Sequence, residues 1–219
     1  MIGPNLVVGV TRFEIGDYAC IEPFNAFRGL SLVKIDSHGR IGSWNWISAH
    51  PAYQAIDPRA GTVYIGYSAA LGSRGYLDCS GTFVVHEYAL VGGNRYFIQT
   101  HEPDFESEHQ TVGRISVGHH SMVASRAVML KGTHLPKQSL LAANSTMTRS
   151  SSPDGKPGLY AGSPAAWKRD TPGRFFNRNA LAMTELVVEG QMGVTPEDLP
   201  SGQFAADAAR QQAIRSTEQ

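Results

Sequence analysis

The segment from Val117 to Met147 reads VGHHSMVASRAVMLKGTHLPKQSLLAANSTM and carries an aliphatic residue at every sixth position. An amphipathic helix would place apolar residues three and four positions apart, and a half-buried strand would place them two apart. A period of six fits neither pattern. Shorter runs with the same spacing begin at Ile35, Ile65 and Val85. The unbroken series has six members: Val117, Val123, Met129, Leu135, Leu141 and Met147.

We interpret this period as a left-handed parallel β-helix, an all-β solenoid shaped as a triangular prism. Six residues form each side and three sides form each coil, so every repeated aliphatic residue points into the prism. Stacked coils then bury one continuous apolar column, in which each coil depends on its neighbours. The alternative is an antiparallel β-sandwich in which the spacing of six arises by chance.

The regular period divides the chain into three regions. Residues 1–61 form irregular coils, in which 22–29 and 50–61 are predicted as loops. Residues 62–169 form the regular β-helix, interrupted by a polar loop at 101–114 where function is expected. Residues 170–219 form an extension that loses the period. Its end, from Pro200 to Gln219, is rich in alanine and glutamine, and the alternatives are a terminal helix, a partly disordered tail or an element that packs on a partner.

The composition excludes several classes of partner. Lysine plus arginine number 19 and aspartate plus glutamate number 19, so the formal net charge is zero and gives no electrostatic reason to bind nucleic acid or an anionic membrane. No segment approaches the roughly 20 apolar residues of a membrane-spanning helix. Two cysteines, Cys20 and Cys79, make no disulfide framework. We therefore expect buried free thiols in a cytoplasmic protein.

Three motifs in a fixed order connect the sequence to a known family. They are Gln99-Thr-His-Glu-Pro-Asp104, the hexads from Ile115 through Thr148, and Tyr160-Ala-Gly-Ser-Pro-Ala165. Over roughly residues 62–170 the chain resembles the hexapeptide-repeat acyltransferases, especially the maltose, galactoside and surface-polysaccharide O-acetyltransferase branch. Several hexads depart from the family pattern, as at Ala124-Ser-Arg. The resemblance implies an enzyme that transfers an acetyl group from acetyl-CoA to a hydroxyl of a sugar or polysaccharide precursor.

The resemblance also implies a catalytic base. His101 matches the histidine of the family's Thr-His-x-x-Asp motif, and histidine suits the removal of a proton from a hydroxyl near neutral pH. A carboxylate is then expected to orient the ring, and Asp104, Glu102 or a backbone carbonyl are the alternatives. Asp78 lies in a stretch similar to one that contacts the acceptor in relatives. His86 is a second candidate for acceptor contact.

The same resemblance predicts a coenzyme site and an assembly. Ser125, Ala143 and Thr148 match family positions that line the pantetheine arm. Cationic side chains are candidates for the coenzyme phosphates, because guanidinium and ammonium groups bind phosphate oxygens. These are Arg149, Lys168 and Arg169. The resemblance further implies a homotrimer, in which a neighbouring wall completes the groove, and it implies no metal.

Two other functions are compatible with a solenoid of this kind. A γ-class carbonic anhydrase has the same fold and binds zinc through three histidines, for which His86, His101 and His120 are conceivable ligands. A scaffold or assembly subunit without catalysis is the second alternative. The Thr-His-x-x-Asp motif and the closing Ala-Gly-Ser-Pro-Ala element favour acyl transfer over both.

Overall fold

The computed structural model describes residues 2–178. This part of the chain contains no α-helix and consists almost entirely of short strands. In chain order the strands are β1 (Leu6–Val8), β2 (Arg12–Ile15), β3 (Cys20–Ile21), β4 (Ala26–Arg28), β5 (Leu32–Ile35), β6 (Arg40–Ile41), β7 (Trp46–Ser48), β8 (Thr62–Ile65), β9 (Ala70–Ser73), β10 (Tyr76–Asp78), β11 (Thr82–Val85), β12 (Leu90–Asn94), β13 (Phe97–Gln99), β14 (His101–Asp104), β15 (His109–Val112), β16 (Arg114–Val117), β17 (Met122–Val123), β18 (Val128–Leu130), β19 (His134–Leu135), β20 (Leu140–Leu141), β21 (Thr146–Met147), β22 (Leu159–Gly162) and β23 (Ala165–Arg169).

The strands form three long sheets, and successive coils add one strand to each. The first face contains β1, β4, β7, β10, β13, β18 and β21, and the second contains β2, β5, β8, β11, β16 and β19. The third face contains β3, β6, β9, β12, β17, β20, β22 and β23. Nearly all neighbours pair in parallel, as Tyr76–Asp78 does with Phe97–Gln99. The predicted all-β fold with stacked parallel coils is confirmed.

The core is the column that the period of six predicts. All six members of the series between Val117 and Met147 are fully buried. Val117 lies on the second face, Val123 on the third and Met129 on the first, so consecutive members turn through the three sides of one coil. Burial of apolar surface, at about 25 cal/mol per Å², therefore recurs on each side of these coils.

The first coils are more regular than their sequence indicates. The prediction of a loop at residues 22–29 is wrong, because β4 (Ala26–Arg28) pairs in parallel with both β1 and β7 as part of the first face. The hexad rhythm is hidden there because Asn25 occupies a buried corner and is held by hydrogen bonds instead of apolar contacts. Residues 50–61, by contrast, leave the wall and contain a 3₁₀ helix at Pro51–Ala55.

Two further segments leave the parallel wall. Residues His101–Asp104 and His109–Val112 form an antiparallel hairpin. Strands β22 and β23 form a second antiparallel pair at the end of the third face. A 3₁₀ helix follows at Arg174–Asn177, and the predicted terminal helix at 200–219 lies outside the described residues. None of the helices in residues 2–178 is long and apolar enough to cross a membrane. Both cysteines are free thiols, with Cys79 buried and Cys20 partly exposed.

Candidate active site

His101 lies at the corner where the regular wall gives way to the hairpin. It is the first residue of β14 and follows β13 of the first face by a single residue, Thr100. Thr100 is fully buried and fixes this corner, because its Oγ1 donates to the carbonyl of Asp78 and accepts the N–H of Gly81. The His101 side chain remains 36% exposed, so the ring is accessible from solvent.

The ring of His101 is held by Asp78, which ends β10 on the preceding coil. Nδ1 of His101 lies 2.5 Å from Oδ2 of Asp78. The register of β10 and β13, which places Asp78 beside Gln99, brings the two side chains to the same corner. Asp78 is only 14% exposed, so this contact is shielded from water on most sides.

Other donors fix the Asp78 carboxylate. Oδ1 accepts hydrogen bonds from Oγ of Ser80 at 2.6 Å and from its backbone N–H at 3.2 Å. Oδ2 accepts the backbone N–H groups of Thr100 and His101, each at 3.2 Å. A carboxylate that accepts this many hydrogen bonds is held in place, and as an acceptor beside Nδ1 it favours the tautomer of His101 that carries its proton there. Nε2 of the ring is left with a free lone pair.

Glu102 and Asp104, the two carboxylates that the sequence predicts as partners of His101, make other contacts. Glu102 Oε1 pairs with Nζ of Lys131 at 3.0 Å and lies 3.8 Å from the guanidinium of Arg149. Asp104 accepts the backbone N–H groups of Glu106 and Ser107 in the hairpin turn, and hydrogen bonds from Ser107 and Glu106 lower its pKa. Within residues 2–178 neither carboxylate contacts the His101 ring, because alternation along β14 and the hairpin turn direct them elsewhere.

Lys131 is a residue of this corner that sequence reasoning missed. Its side chain is 10% exposed and contacts Glu102 and Oγ1 of Thr111, one on each strand of the hairpin. It therefore joins the hairpin to the wall. No sequence motif marks Lys131. The strand register locates it: Gln99 pairs with Leu130, so Lys131 stacks beside Thr100 in the next coil.

His86 is separated from His101 by the width of the second face. It follows the end of β11 (Thr82–Val85), whereas the Asp78 corner precedes that strand, and four strand residues span about 13 Å. The centroid of the His86 ring instead lies 4.6 Å from the centroid of the His119 ring. Burial and the neighbouring His119, Arg114 and His134 lower the pKa of His86. Contact of His86 with the same acceptor as His101 is thus not favoured by this geometry.

The predicted coenzyme residues fall into three places. Ser125 and Ala143 line a cavity of about 550 Å³ at the corner that precedes the first face. Thr148 and Arg149 line another of about 550 Å³ at the corner that follows it, together with Glu102 and Lys131. The remaining two candidates, Lys168 and Arg169, are exposed on β23 of the third face. The first two groups therefore flank the first face from opposite sides.

The histidines proposed as zinc ligands do not form a cluster. His101 contacts Asp78, His86 contacts His119, and His120 stacks on Tyr88 with ring centroids 4.9 Å apart. Across residues 2–178 no group of three or more His, Cys, Asp or Glu side chains is arranged to hold a metal ion.

Comparisons with known proteins give matches in structure alone. No protein-family model matches the sequence, and no curated protein matches it. A hexapeptide-repeat containing acetyltransferase of Vibrio cholerae is 14% identical with a TM-score of 0.44, and the match covers 72% of this chain and 73% of that one. A variant of AntD, an N-acyltransferase of Bacillus cereus in complex with dTDP and coenzyme A, is 11% identical with a TM-score of 0.47 over 74% and 88% of the chains.

The polysialic acid O-acetyltransferase OatWY is also 11% identical, with a TM-score of 0.47, and the match covers 93% of this chain and 99% of that one. All three solved proteins are named as acyltransferases.

Proposed function

We propose that this chain is a left-handed β-helix O-acyltransferase that moves an acetyl group from acetyl-CoA to a hydroxyl of a sugar or a surface-polysaccharide precursor. The observation that carries the proposal is the contact between His101 and Asp78. A partly exposed imidazole with a well-hydrogen-bonded carboxylate on Nδ1 is the arrangement that a general base requires.

The chemistry at His101 follows from this pair. Nε2 accepts the proton of the acceptor hydroxyl as its oxygen attacks the thioester carbonyl. The C–O bond forms, the C–S bond breaks, and the protonated ring then donates its proton to the departing thiolate. Asp78 keeps Nε2 directed outward and stabilises the imidazolium between the two steps. The products are an ester and a free thiol, so atoms and charges balance.

Acetyl-CoA would supply the activated acyl group, and the cavity lined by Glu102, Lys131, Thr148 and Arg149 carries positive charge that suits its anionic end. Lys131 and Arg149 bring two positive charges to this cavity against the single carboxylate of Glu102. Arg149 is 70% exposed, which leaves its planar guanidinium available to phosphate oxygens. We assign Thr148 and Arg149 to the coenzyme. Ser125 and Ala143, on the opposite corner of the first face, would contact it from a neighbouring copy in a trimer.

Assembly and compartment belong to the same proposal. In a homotrimer whose Ser125 corner lay against the His101 corner of the next copy, both groups of predicted coenzyme residues would face one ligand. The free thiols of Cys20 and Cys79 fit a reducing compartment such as the cytoplasm.

Thioester consumption by the full chain tests the function. Purified protein would be incubated with acetyl-CoA and a panel of sugars and oligosaccharides, with acetylated product detected by mass spectrometry. We expect His101→Ala to lower the rate by about 10²–10⁴-fold, the usual contribution of a general base. Its circular dichroism spectrum should not change, since His101 is outside the buried column.

His109→Ala is the matched control, because His109 is an exposed histidine on the other strand of the same hairpin. We expect it to retain wild-type turnover. Full turnover in His101→Ala would contradict the catalytic assignment. If no hydroxyl-bearing acceptor were acetylated and only amines were, the proposal that the acceptor is a hydroxyl would be contradicted.

A further inference from the structure

Two excursions leave the solenoid at the corner between the first and second faces. The parallel register of β7, β10 and β13 makes His50, Ser80 and His101 equivalent positions in three successive coils. The chain leaves the wall at His50 and again at His101, whereas the coil between them turns tightly through Ser80. Since coils are about 4.8 Å apart, the two excursions begin about 10 Å from each other. We call the space between them the corner cleft, with residues 50–61 and 101–112 as its walls and the turn at Ser80 as its floor.

The first wall of the corner cleft is fixed to the floor. The backbone N–H of His50 donates to Oγ of Ser80 at 3.1 Å, and the same Oγ donates to Oδ1 of Asp78 at 2.6 Å. Further along the wall, Nε2 of Gln54 donates to the carbonyl of Gly29 at 2.6 Å. The wall is therefore joined through one hydroxyl to the carboxylate that orients the proposed base.

Tyr53 lies on this wall beside the proposed base. The centroid of its ring is 6.1 Å from the centroid of the His101 ring, and the two ring planes are tilted by 35°. The Tyr53 ring also makes an edge contact with His50, with 5.9 Å between centroids. Tyr53 is only partly buried, and its hydroxyl makes no hydrogen bond to any other residue between 2 and 178. Both the ring and the hydroxyl are thus available to a ligand that reaches His101.

The corner cleft contains open space. A cavity of about 810 Å³ is lined by Pro58 of the first wall, Val112 of the second wall and Gly81 of the floor. This volume is within the roughly 300–1,000 Å³ of small-molecule sites. The cavity lies toward the second face, whereas Tyr53 and His101 stand toward the first face, because His101 contacts the last residue of β10 there. A ligand at the base therefore has room to extend between the walls.

We propose that Tyr53 binds the acceptor and selects one whose reacting hydroxyl is carried by a ring, such as a pyranose, over an open-chain hydroxyl such as that of serine. This inference rests on the proposed O-acyltransferase function and names a residue that determines its specificity. The face of a pyranose would pack on the Tyr53 ring, and the phenolic hydroxyl would hydrogen-bond to a ring substituent. Both contacts would hold the reacting hydroxyl near Nε2 of His101.

Steady-state kinetics of the full chain tests this proposal. The ring acceptors are maltose, methyl β-galactopyranoside and methyl N-acetyl-β-glucosaminide, and the open-chain acceptor is L-serine. Water is the remaining acceptor, measured as hydrolysis of acetyl-CoA when no other acceptor is added. We expect the wild type to have a higher kcat/KM for at least one ring acceptor than for L-serine. Tyr53→Ala should raise the KM of that ring acceptor about tenfold, and it should change acetyl-CoA hydrolysis and the KM of acetyl-CoA by less than about twofold.

Two further variants distinguish binding of the acceptor from support of the fold. Tyr53→Phe keeps the ring and should recover most of the loss, with a KM about threefold above wild type. Ile56→Ala removes a side chain that is 84% exposed on the same wall, and it should leave every kinetic constant unchanged. The imidazole ¹⁵N chemical shifts of His101 should be the same in Tyr53→Ala and wild type, because Asp78 holds the ring.

Three results would overturn the proposal while leaving the O-acyltransferase function in place. The first is acetylation of L-serine with no acetylation of any ring acceptor. The second is an unchanged KM for the ring acceptor in Tyr53→Ala. The third is an equal loss of acetyl-CoA hydrolysis and of transfer in Tyr53→Ala, together with altered ¹⁵N shifts of His101, which would make Tyr53 a support for the base. If the wild type consumed no acetyl-CoA with any acceptor, water included, the proposed function itself would fail and this inference with it.

Discussion

Oδ2 of Asp78 lies 2.5 Å from Nδ1 of His101, although 23 residues separate the two along the chain. One turn of the solenoid accounts for this distance, because β10 and β13 are neighbouring strands of the first face in parallel register. Coil stacking thus produces a base and its orienting carboxylate from two different repeats. Neither repeat contains the pair by itself.

Asp78→Asn should impair turnover while the protein stays folded. The amide presents only one acceptor oxygen and cannot stabilise an imidazolium, so we expect kcat to fall by about 10²-fold or more, with little change in KM. The imidazole ¹⁵N chemical shifts of His101 should report loss of the tautomer with its proton on Nδ1. Asp104→Asn, in the hairpin turn, is the control and should keep wild-type kcat. Equal kcat in wild type and Asp78→Asn would remove Asp78 from the mechanism.

Lys131→Met should loosen the hairpin. The substitution removes an ammonium that contacts both Glu102 and Thr111, and it leaves Glu102 with the more distant Arg149. We expect amide hydrogen exchange in residues 101–112 to become about tenfold faster, which corresponds to about 1.4 kcal/mol of opening free energy. Lys137→Met removes an exposed lysine and should leave exchange in the hairpin unchanged. Identical exchange in Lys131→Met and wild type would show that other contacts hold the hairpin.

Asn45→Ala should destabilise the first coils strongly. Asn45 is 2% exposed, and its Oδ1 accepts hydrogen bonds from the N–H of Gly75 and the hydroxyl of Tyr96, both at 2.8 Å. Alanine would leave those buried donors without their acceptor, at a cost of about 2–4 kcal/mol in free energy of unfolding. Asn94→Ala, at an exposed position of β12, should cost less than about 1 kcal/mol. Urea denaturation compares the two, and equal costs would contradict this explanation.

Stability should fall as the solution is acidified through the range of histidine titration. Burial and nearby positive groups hold the pKa of His86 below its ordinary value of 6.5, and burial does the same for His134. The unfolded chain then binds more protons than the folded one, so stability present above about pH 6.5 is lost as the pH falls below that value.

Thermal unfolding from neutral pH to about pH 5 checks this expectation. The double variant His86→Gln, His134→Gln should show a smaller decrease in Tm than the wild type. His50→Gln, which removes an exposed histidine at the start of the 50–61 excursion, should show the wild-type decrease. A double variant with an unchanged pH dependence would assign the effect to other groups.

The wall was predictable because a single physical requirement repeats along the chain. Val117, Val123 and Met129 must each point into the prism, and burial of apolar surface makes that requirement visible at every sixth position. The period is weaker at residues 22–29, where β4 was mistaken for a loop. There Asn25 holds the corner by hydrogen bonds, which leave no hydrophobic signal in the sequence.

The sequence by itself determined the stacked parallel coils, the apolar column and the place of His101 at the edge of a polar excursion. The tertiary structure decided which groups surround that histidine. It placed the Asp78 carboxylate against the His101 ring and paired Glu102 with Lys131. Residues that are neighbours along a strand do not contact each other through their side chains, because successive side chains point to opposite faces. Residues one coil apart lie side by side, about 4.8 Å from each other.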